Sequence, residues 1–396
     1  MGLIALGVTG GVGAYKAVEV ARGLQKRGHE VVAVMTRNAR RFVGPVTFEA
    51  ITRRRVVTTQ WQEGANADIE HIALASSIDL LLVAPATANI IGKITGGLAD
   101  DLLTTTVLAT NAPVLLCPAM NANMLAQTAV QENLAKLAAR GYHLLAPAYG
   151  ELACKAEGAG RLPEIEEIVE EIETILTAKD LHGERILITA GPTREPLDPV
   201  RFITNYSSGK MGYALAIAAK RRGADVTLVT GPSALAFPRG VKCIGVVTAL
   251  EMRDAVLEQY QQATVIIKAA AVADYRPAVR AANKIKKHDD QLHLMLERNP
   301  DIIAELGKNK GHRTLIGFAM ESENLVEQAV SKMTKKNMDY IVANLVTREG
   351  AGFQCDTNIV TIISRDGVIE ELPQMEKMQV ADRILDKIVG RSQGLS

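Results

Sequence analysis

The sequence carries almost no surplus charge: 45 lysines and arginines stand against 44 aspartates and glutamates, a formal net charge of +1. That excludes a global field for nucleic acid or an anionic membrane, so any anion must be recognised locally. Cysteine is scarce as well. Cys117, Cys154, Cys243 and Cys355 are far apart and form no CxxC pair, which argues against a zinc site or a disulfide framework and for a reduced, cytoplasmic protein. No apolar run is long enough to cross a bilayer, and Met1 leads within two residues into a strand pattern and not into a signal peptide. Aromatic residues are few, while alanine, glycine, valine and isoleucine are plentiful, a balance that suits α/β sheets packed closely under helices. At 396 residues, two domains are expected.

What is present is organised around residues 190–212. A strand over 186–189 runs into Gly191-Pro192-Thr193-Arg194-Glu195, and Asn205-Tyr206-Ser207-Ser208-Gly209-Lys210-Met211-Gly212 then opens a helix. Gly/Ser-rich turns at a strand end, with a cation between them, present backbone N–H groups and a helix N-terminus to a phosphate. This stretch starts a second strand–loop–helix series, after a polar joint over 177–184 that places a boundary at about 180.

The first half, 1–180, opens with an apolar strand over 3–8, the turn Thr9-Gly10-Gly11-Val12-Gly13, a helix to Arg27 and a strand over 31–35. It is not a dinucleotide fingerprint. Lys16 stands at the third glycine position, and the second strand ends in Thr36 where an acid would hold a ribose. A loop for a single phosphate, as in FMN, fits better. Two further strand ends lead into Ala84-Pro85-Ala86-Thr87-Ala88-Asn89 and Pro118-Ala119-Met120-Asn121-Ala122-Asn123-Met124, which should line the same crevice. Asn121 can grip a carboxylate or simply cap the next helix. His71, in the first turn of a helix, is kept neutral by the macrodipole and able to accept a proton, although a lone histidine is more often structural. Cys154 sits in a glycine-rich segment beside Lys155, a cation that favours thiolate. A helix over 163–177, with Pro163 in its first turn, closes this half.

These motifs, in this order, resemble the flavin-dependent phosphopantothenoylcysteine decarboxylases, homo-oligomeric FMN proteins. The resemblance implies a flavodoxin/Rossmann-like parallel sheet with FMN against Gly10, Gly11, Val12, Thr36, Pro85, Ala86, Thr87, Asn89 and Met120. It implies that oxidation of the substrate's cysteine side chain lets the neighbouring carboxylate leave. His71 would be the base near the thiol, Asn121 would hold the carboxylate, and Cys154 would donate the final proton. One position departs from the family: Lys155 follows Cys154 where glycine is usual.

The second half, 181–396, repeats the βαβ opening. A strand over 264–268 runs into Ala269-Ala270-Ala271-Val272-Ala273-Asp274, which puts bare backbone beside a ligand, with Asp274 able to hold a base, a ribose or magnesium. Lys284-Ile285-Lys286-Lys287 can clamp a triphosphate or merely face water, and Lys332 and Lys336 share a helix face. With Arg201, Asn205, Asn299-Pro300-Asp301-Ile302 and Phe318, this set resembles the CTP-using bacterial phosphopantothenate–cysteine ligases, a Rossmann-like α/β fold. The resemblance implies that Arg201, Asn205 and Lys284 act on the substrate carboxylate and the acyl-cytidylate. CTP would lie against Gly209, Ala269, Ala270, Asp274, Lys284, Asn299 to Ile302, Phe318, Lys332 and Lys336. Magnesium would arrive mainly on the CTP phosphates, with no protein ligand assigned. The implied partners are the small molecules 4′-phosphopantothenate, cysteine and CTP, with no nucleic acid or membrane. A ligase-domain dimer and a higher-order decarboxylase oligomer are also implied. Two other classes compete: a two-domain nucleotide-binding oxidoreductase, which lacks its fingerprint here, and a non-catalytic flavoprotein regulator, which would not need His71, Asn121 and Cys154 together.

Overall fold

The structure, a computed structural model, describes residues 2–59, 70–151, 157–286, 292–321, 325–345 and 355–392. The chain divides into two compact units, Met1–Thr177 and Ala178–Ser396.

Unit 1 runs β1 (Leu3–Val8), α1 (Lys16–Lys26), β2 (Glu30–Met35), α2 (Pro45–Thr52), α3 (Glu70–Ser77), β3 (Leu80–Ala86), α4 (Ala88–Gly96), α5 (Leu102–Ala109) and β4 (Val114–Pro118). It continues with α6 (Ala122–Ala126), α7 (Thr128–Ala139), β5 (His143–Leu144), β6 (Ala148–Glu151), β7 (Glu157–Arg161) and α8 (Ile165–Leu176). Strands β1 to β5 form a parallel sheet in the order β2-β1-β3-β4-β5. Ile4, Leu6 and Val8 pack with α1 and α8 on one face, while Ala5 packs with α4 and α5 on the other. Burial on both faces is why these strands read as unbroken apolar runs. The order reverses direction between β1 and β3, and a crevice opens outside the strand ends at such a switch point. The closing helix begins later than the sequence suggests. Leu162 and Pro163 are buried in an extended lead-in, and Glu164 is the N-cap, so Pro163 lies outside the first turn.

Unit 2 runs β8 (Arg185–Ala190), β9 (Arg194–Pro196), β10 (Phe202–Thr204), α9 (Lys210–Arg221), β11 (Asp225–Thr230), β12 (Lys242–Gly245), α10 (Ala249–Gln259), β13 (Val265–Lys268), β14 (Tyr275–Pro277) and β15 (Leu296–Arg298). It ends with α11 (Ile302–Lys308), β16 (Thr314–Glu321), α12 (Leu325–Lys335), β17 (Tyr340–Leu345), β18 (Thr357–Asn358), β19 (Thr361–Ser364), β20 (Ile369–Glu371), β21 (Met375–Glu376) and α13 (Lys377–Ser392). Its main sheet has the order β12-β11-β8-β13-β16-β17-β19-β20, with the first six strands parallel and the last two an antiparallel extension. Helices α9 and α13 cover one face and α10 to α12 the other. The switch point lies between β8 and β13, so the loops after Ala190 and Lys268 flank a second crevice.

Two candidate active sites

The first crevice is a cleft of 1770 Å³ at the carboxyl ends of β1 to β4. The Thr9 hydroxyl donates to the Pro85 carbonyl at 2.6 Å, tying the loop after β1 to the loop after β3. At Gly10 a Cβ would lie 2.4 Å from the Cβ of Asn38, so only glycine lets the loops after β1 and β2 abut. Of the residues expected around a flavin, Gly10, Gly11, Val12, Thr36, Pro85, Thr87, Asn89 and Met120 line the cleft. Ala86 does not. It is fully buried in β3, its methyl in the core and its carbonyl accepting from the Ala119 N–H at 3.0 Å.

Asn121 bears the capping role read from the sequence and also stands at the cleft. As the cap of α6, its Oδ1 accepts from the Asn123 N–H at 2.8 Å. His71 is half-buried as the second residue of α3, and within one chain it is not among the residues lining the cleft. Its helix lies against α5, where the Thr110 hydroxyl donates to the Ala75 carbonyl at 2.8 Å. Cys154 lies outside the described residues. The strands on either side of it, β6 and β7, pair with each other, and Glu151, Gly160 and Arg161 line the cleft. Sequence reasoning missed Arg37, Arg40 and Arg41, which bring three cations to the rim. Their signal was the basic run directly after Thr36.

The second site is built around one buried carboxylate. Asp198 accepts from the N–H groups of Val200 and Arg201, each at 2.8 Å, and from that of Ile285 at 3.1 Å. Arg201 donates to it through Nε at 2.9 Å and Nη2 at 2.6 Å, and Nη2 also reaches the Ile285 carbonyl at 2.9 Å. The Arg201 guanidinium holds the Asp198 carboxyl well below the usual carboxylate range. This strap places exposed Lys284 beside Arg201. Asn205 Nδ2 donates to the Ala271 carbonyl at 3.1 Å, and Ala271 N–H bonds to the Gly191 carbonyl at 3.0 Å, zipping the loops after β8 and β13 together.

On the α11 side, Asn299 Nδ2 donates to the Ala273 carbonyl at 2.8 Å, and its N–H to the Asp274 carbonyl at 2.9 Å. Asp301 caps α11 and pairs with Lys336 at 2.8 Å. Burial alone would raise the Asp301 carboxyl, but the bonds from Lys336 and the Ala304 N–H outweigh it and leave it below its ordinary value. Ile302 is 1% exposed and its side chain belongs to the core.

Gly209, Ala269, Ala270 and Phe318 meet elsewhere, in a pocket of 150 Å³ formed with the turn 207–212 and with Asn344, Asn358 and Lys377. Gly209 has φ +83°, a left-handed conformation at the N-cap of α9. Asn344, Asn358 and Lys377 escaped sequence reasoning because the last parallel strand β17, the separate β18–β21 pair and the start of α13 bring them here. The pocket does not include Asp274, Asn299, Lys332 or Lys336.

Comparison with known proteins gives these two sites a family. The Flavoprotein family model matches residues 2–177, and the model for the DNA/pantothenate metabolism flavoprotein C-terminal domain matches residues 181–391. The chain is 47% identical over 393 residues to the coenzyme A biosynthesis bifunctional protein CoaBC of Bacillus subtilis, covering 98% of this chain and 97% of that one. It is 44% identical over 393 residues to the protein of that name from Escherichia coli, covering 98% and 97%. The chain belongs to this family. It is a bifunctional enzyme of coenzyme A biosynthesis, with a flavoprotein decarboxylase unit followed by a phosphopantothenate–cysteine ligase unit. A crystal structure of the C-terminal domain of a CoaBC protein aligns with 55% of this chain at 46% identity and a TM-score of 0.48. The family models and the full-length relatives set the oxidoreductase alternative aside.

Proposed function

We propose that unit 2 joins 4′-phosphopantothenate to cysteine with CTP, through an acyl-cytidylate, and that unit 1 decarboxylates the resulting 4′-phosphopantothenoylcysteine to 4′-phosphopantetheine with FMN. The observation that carries this reading is that one chain holds two separate crevices, each at the carboxyl ends of its own parallel sheet.

The first crevice fits FMN. The turn at Gly10 to Gly13 offers backbone N–H groups to a phosphate, and Arg37, Arg40 and Arg41 add positive charge at the rim. A bound flavin supplies the redox chemistry that makes carboxylate loss possible. In this reading Asn121 holds the substrate carboxylate at the rim, His71 accepts the thiol proton and Cys154 returns one at the end. Because His71 lies off the cleft in a single chain, a second copy has to bring it there, which makes a homo-oligomer part of the reading.

In unit 2, Arg201 and Asn205 orient the phosphopantothenate carboxylate for attack on the α-phosphate. A carboxylate–phosphorus bond forms as pyrophosphate leaves, and Lys284, Lys332 and Lys336 neutralise the charge. The cysteine amine then forms the amide and loses a proton as CMP leaves. Gly209, Ala269, Ala270 and Phe318 frame the nucleotide. Magnesium comes with CTP, carried mainly on its phosphates. Exposed Val279 and Met295, beside the hairpin of β14 and β15, support a dimer through this unit. The setting is the cytoplasm.

The test is release of pyrophosphate from CTP that requires both 4′-phosphopantothenate and cysteine, followed by carbon dioxide release in the same reaction. Equal pyrophosphate release with ATP would overturn the CTP assignment. Pyrophosphate without carbon dioxide would overturn the role of unit 1.

A further inference from the structure

Lys268 is the last residue of β13, paired with Thr189 of β8 and Gly317 of β16. Alternation puts it on the same sheet face as Ile266, which packs among the core residues of α10 to α12. Lys268 therefore stands at the carboxyl edge of that face, one residue before the alanines that wall the ligase pocket. The charged groups around it are Asp301 at the N-cap of α11, Lys336 just past α12 and Asp274 in the loop after β13. The strands beside it present only Thr189 and Gly317.

Among the described residues, no hydrogen bond or ion pair engages the Lys268 ammonium. Asp301 is already committed, because it pairs with Lys336 and caps α11. Burial pushes the Lys268 pKa down to about 8, the Lys336 charge adds in the same direction, and Asp301 and Asp274 pull the other way. Lys268 is half-buried at the carboxyl edge of the sheet, and an ammonium placed there with no bonded partner is open to an anion that the protein does not itself supply.

We propose that Lys268 is a phosphate ligand of the ligase unit, meeting the polyphosphate oxygens of the nucleotide alongside Lys332 and Lys336. The proposal rests on the nucleotide reading of this crevice. It explains in one step why the ammonium sits beside Asp274, Asp301 and Lys336, and why no side chain answers it.

The experiment uses the full chain, with CTP and magnesium but neither phosphopantothenate nor cysteine, and inorganic pyrophosphate as a second probe, both followed by calorimetry. Lys268→Met is expected to weaken both probes about tenfold at pH 7, the size of one charge-assisted contact, and Lys268→Arg to restore most of it. Wild-type affinity is expected to fall as pH rises above 8, and the Lys268→Met profile to stay flat there. Melting separates this role from a structural one. The folded pKa lies below the unfolded value of about 10.4, so the lysine destabilises the ligand-free fold fully below pH 8 and progressively less above it. Lys268→Met should thus melt higher than wild type at pH 7, with the gap closing toward pH 10. If Lys268→Met binds both probes within twofold of wild type, or melts lower with affinity unchanged, the proposal is overturned. Wild type binding ATP as tightly as CTP would remove the cytidine reading alone, because the pyrophosphate arm still tests the lysine. Wild type binding neither nucleotide nor pyrophosphate would sink the nucleotide reading, and this proposal with it.

Discussion

Asp198 holds one edge of the Arg201 guanidinium, and in the proposed reading this orients Arg201 toward the substrate carboxylate. The same carboxylate ties down the backbone at Ile285, so a single buried acid positions Arg201 and the segment carrying Lys284. Asp198→Asn is expected to lower ligation about a hundredfold, the effect of a modest misplacement of catalytic groups, while carbon dioxide release from supplied 4′-phosphopantothenoylcysteine stays at the wild-type rate. Equal loss of both activities would mean general unfolding and count against the positioning role. The pH sign follows from the same contact. The Asp198 carboxyl sits below its unfolded value of about 3.9, so its stabilisation is complete above that pH and is lost as pH falls through the folded-state value. Acid unfolding of the ligase unit, followed by circular dichroism, should therefore begin at higher pH in Asp198→Asn. At this scale the sequence was readable where a residue sits at a fixed offset from a strand end, as Gly10 and Thr87 do in lining the first cleft. It did not show that the side chains of Ala86 and Ile302 point into the core, because that direction is set by strand alternation and helix phase.

The helix that opens at Gly209 links packing to the ligase pocket. α9 lies so close to β8 that a Cβ on Gly212 would come 2.5 Å from the Cβ of Ala190. Gly212→Ala must push the helix outward, which costs about 1–3 kcal/mol by overpacking and carries the 207–210 turn away from the nucleotide. Scanning calorimetry should show a lowered transition for unit 2 and an unchanged one for unit 1, together with a raised KM for CTP. An unchanged KM would separate the packing of α9 from the pocket. The elements themselves were legible, because apolar runs ending in Gly-rich turns mark parallel strands buried on both faces. The helix over 163–177 was misjudged at its start because Pro163 is as good in a buried extended lead-in as in a first turn. The ligase pocket was only half legible. Its Ser207–Gly212 and Ala269–Ala271 walls are motifs, whereas Asn344 arrives through sheet order and Asn358 and Lys377 through the β18–β21 pair and the start of α13, which no local pattern specifies.

For the whole molecule, the decisive question is how His71, in its proposed role as the base, reaches a cleft that its own chain does not bring it to. α3 packs against α5, while Asn121 stands at the cleft rim on the loop after β4. If a second copy supplies the histidine, each working site combines His71 from one chain with Asn121 from another, and two damaged chains can repair one another. His71→Asn and Asn121→Ala homo-oligomers should each lose decarboxylation while keeping CTP-dependent ligation, which lies in the other unit. Co-expressed in equal amounts, the two variants should form mixed oligomers in which about a quarter of the sites have both residues intact, and carbon dioxide release should return to about that fraction of wild type. Mixing the separately purified homo-oligomers without subunit exchange should restore nothing. Mixed oligomers as inactive as their parents would place His71 and Asn121 of each site on the same chain, and the homo-oligomer would then lose its catalytic rationale.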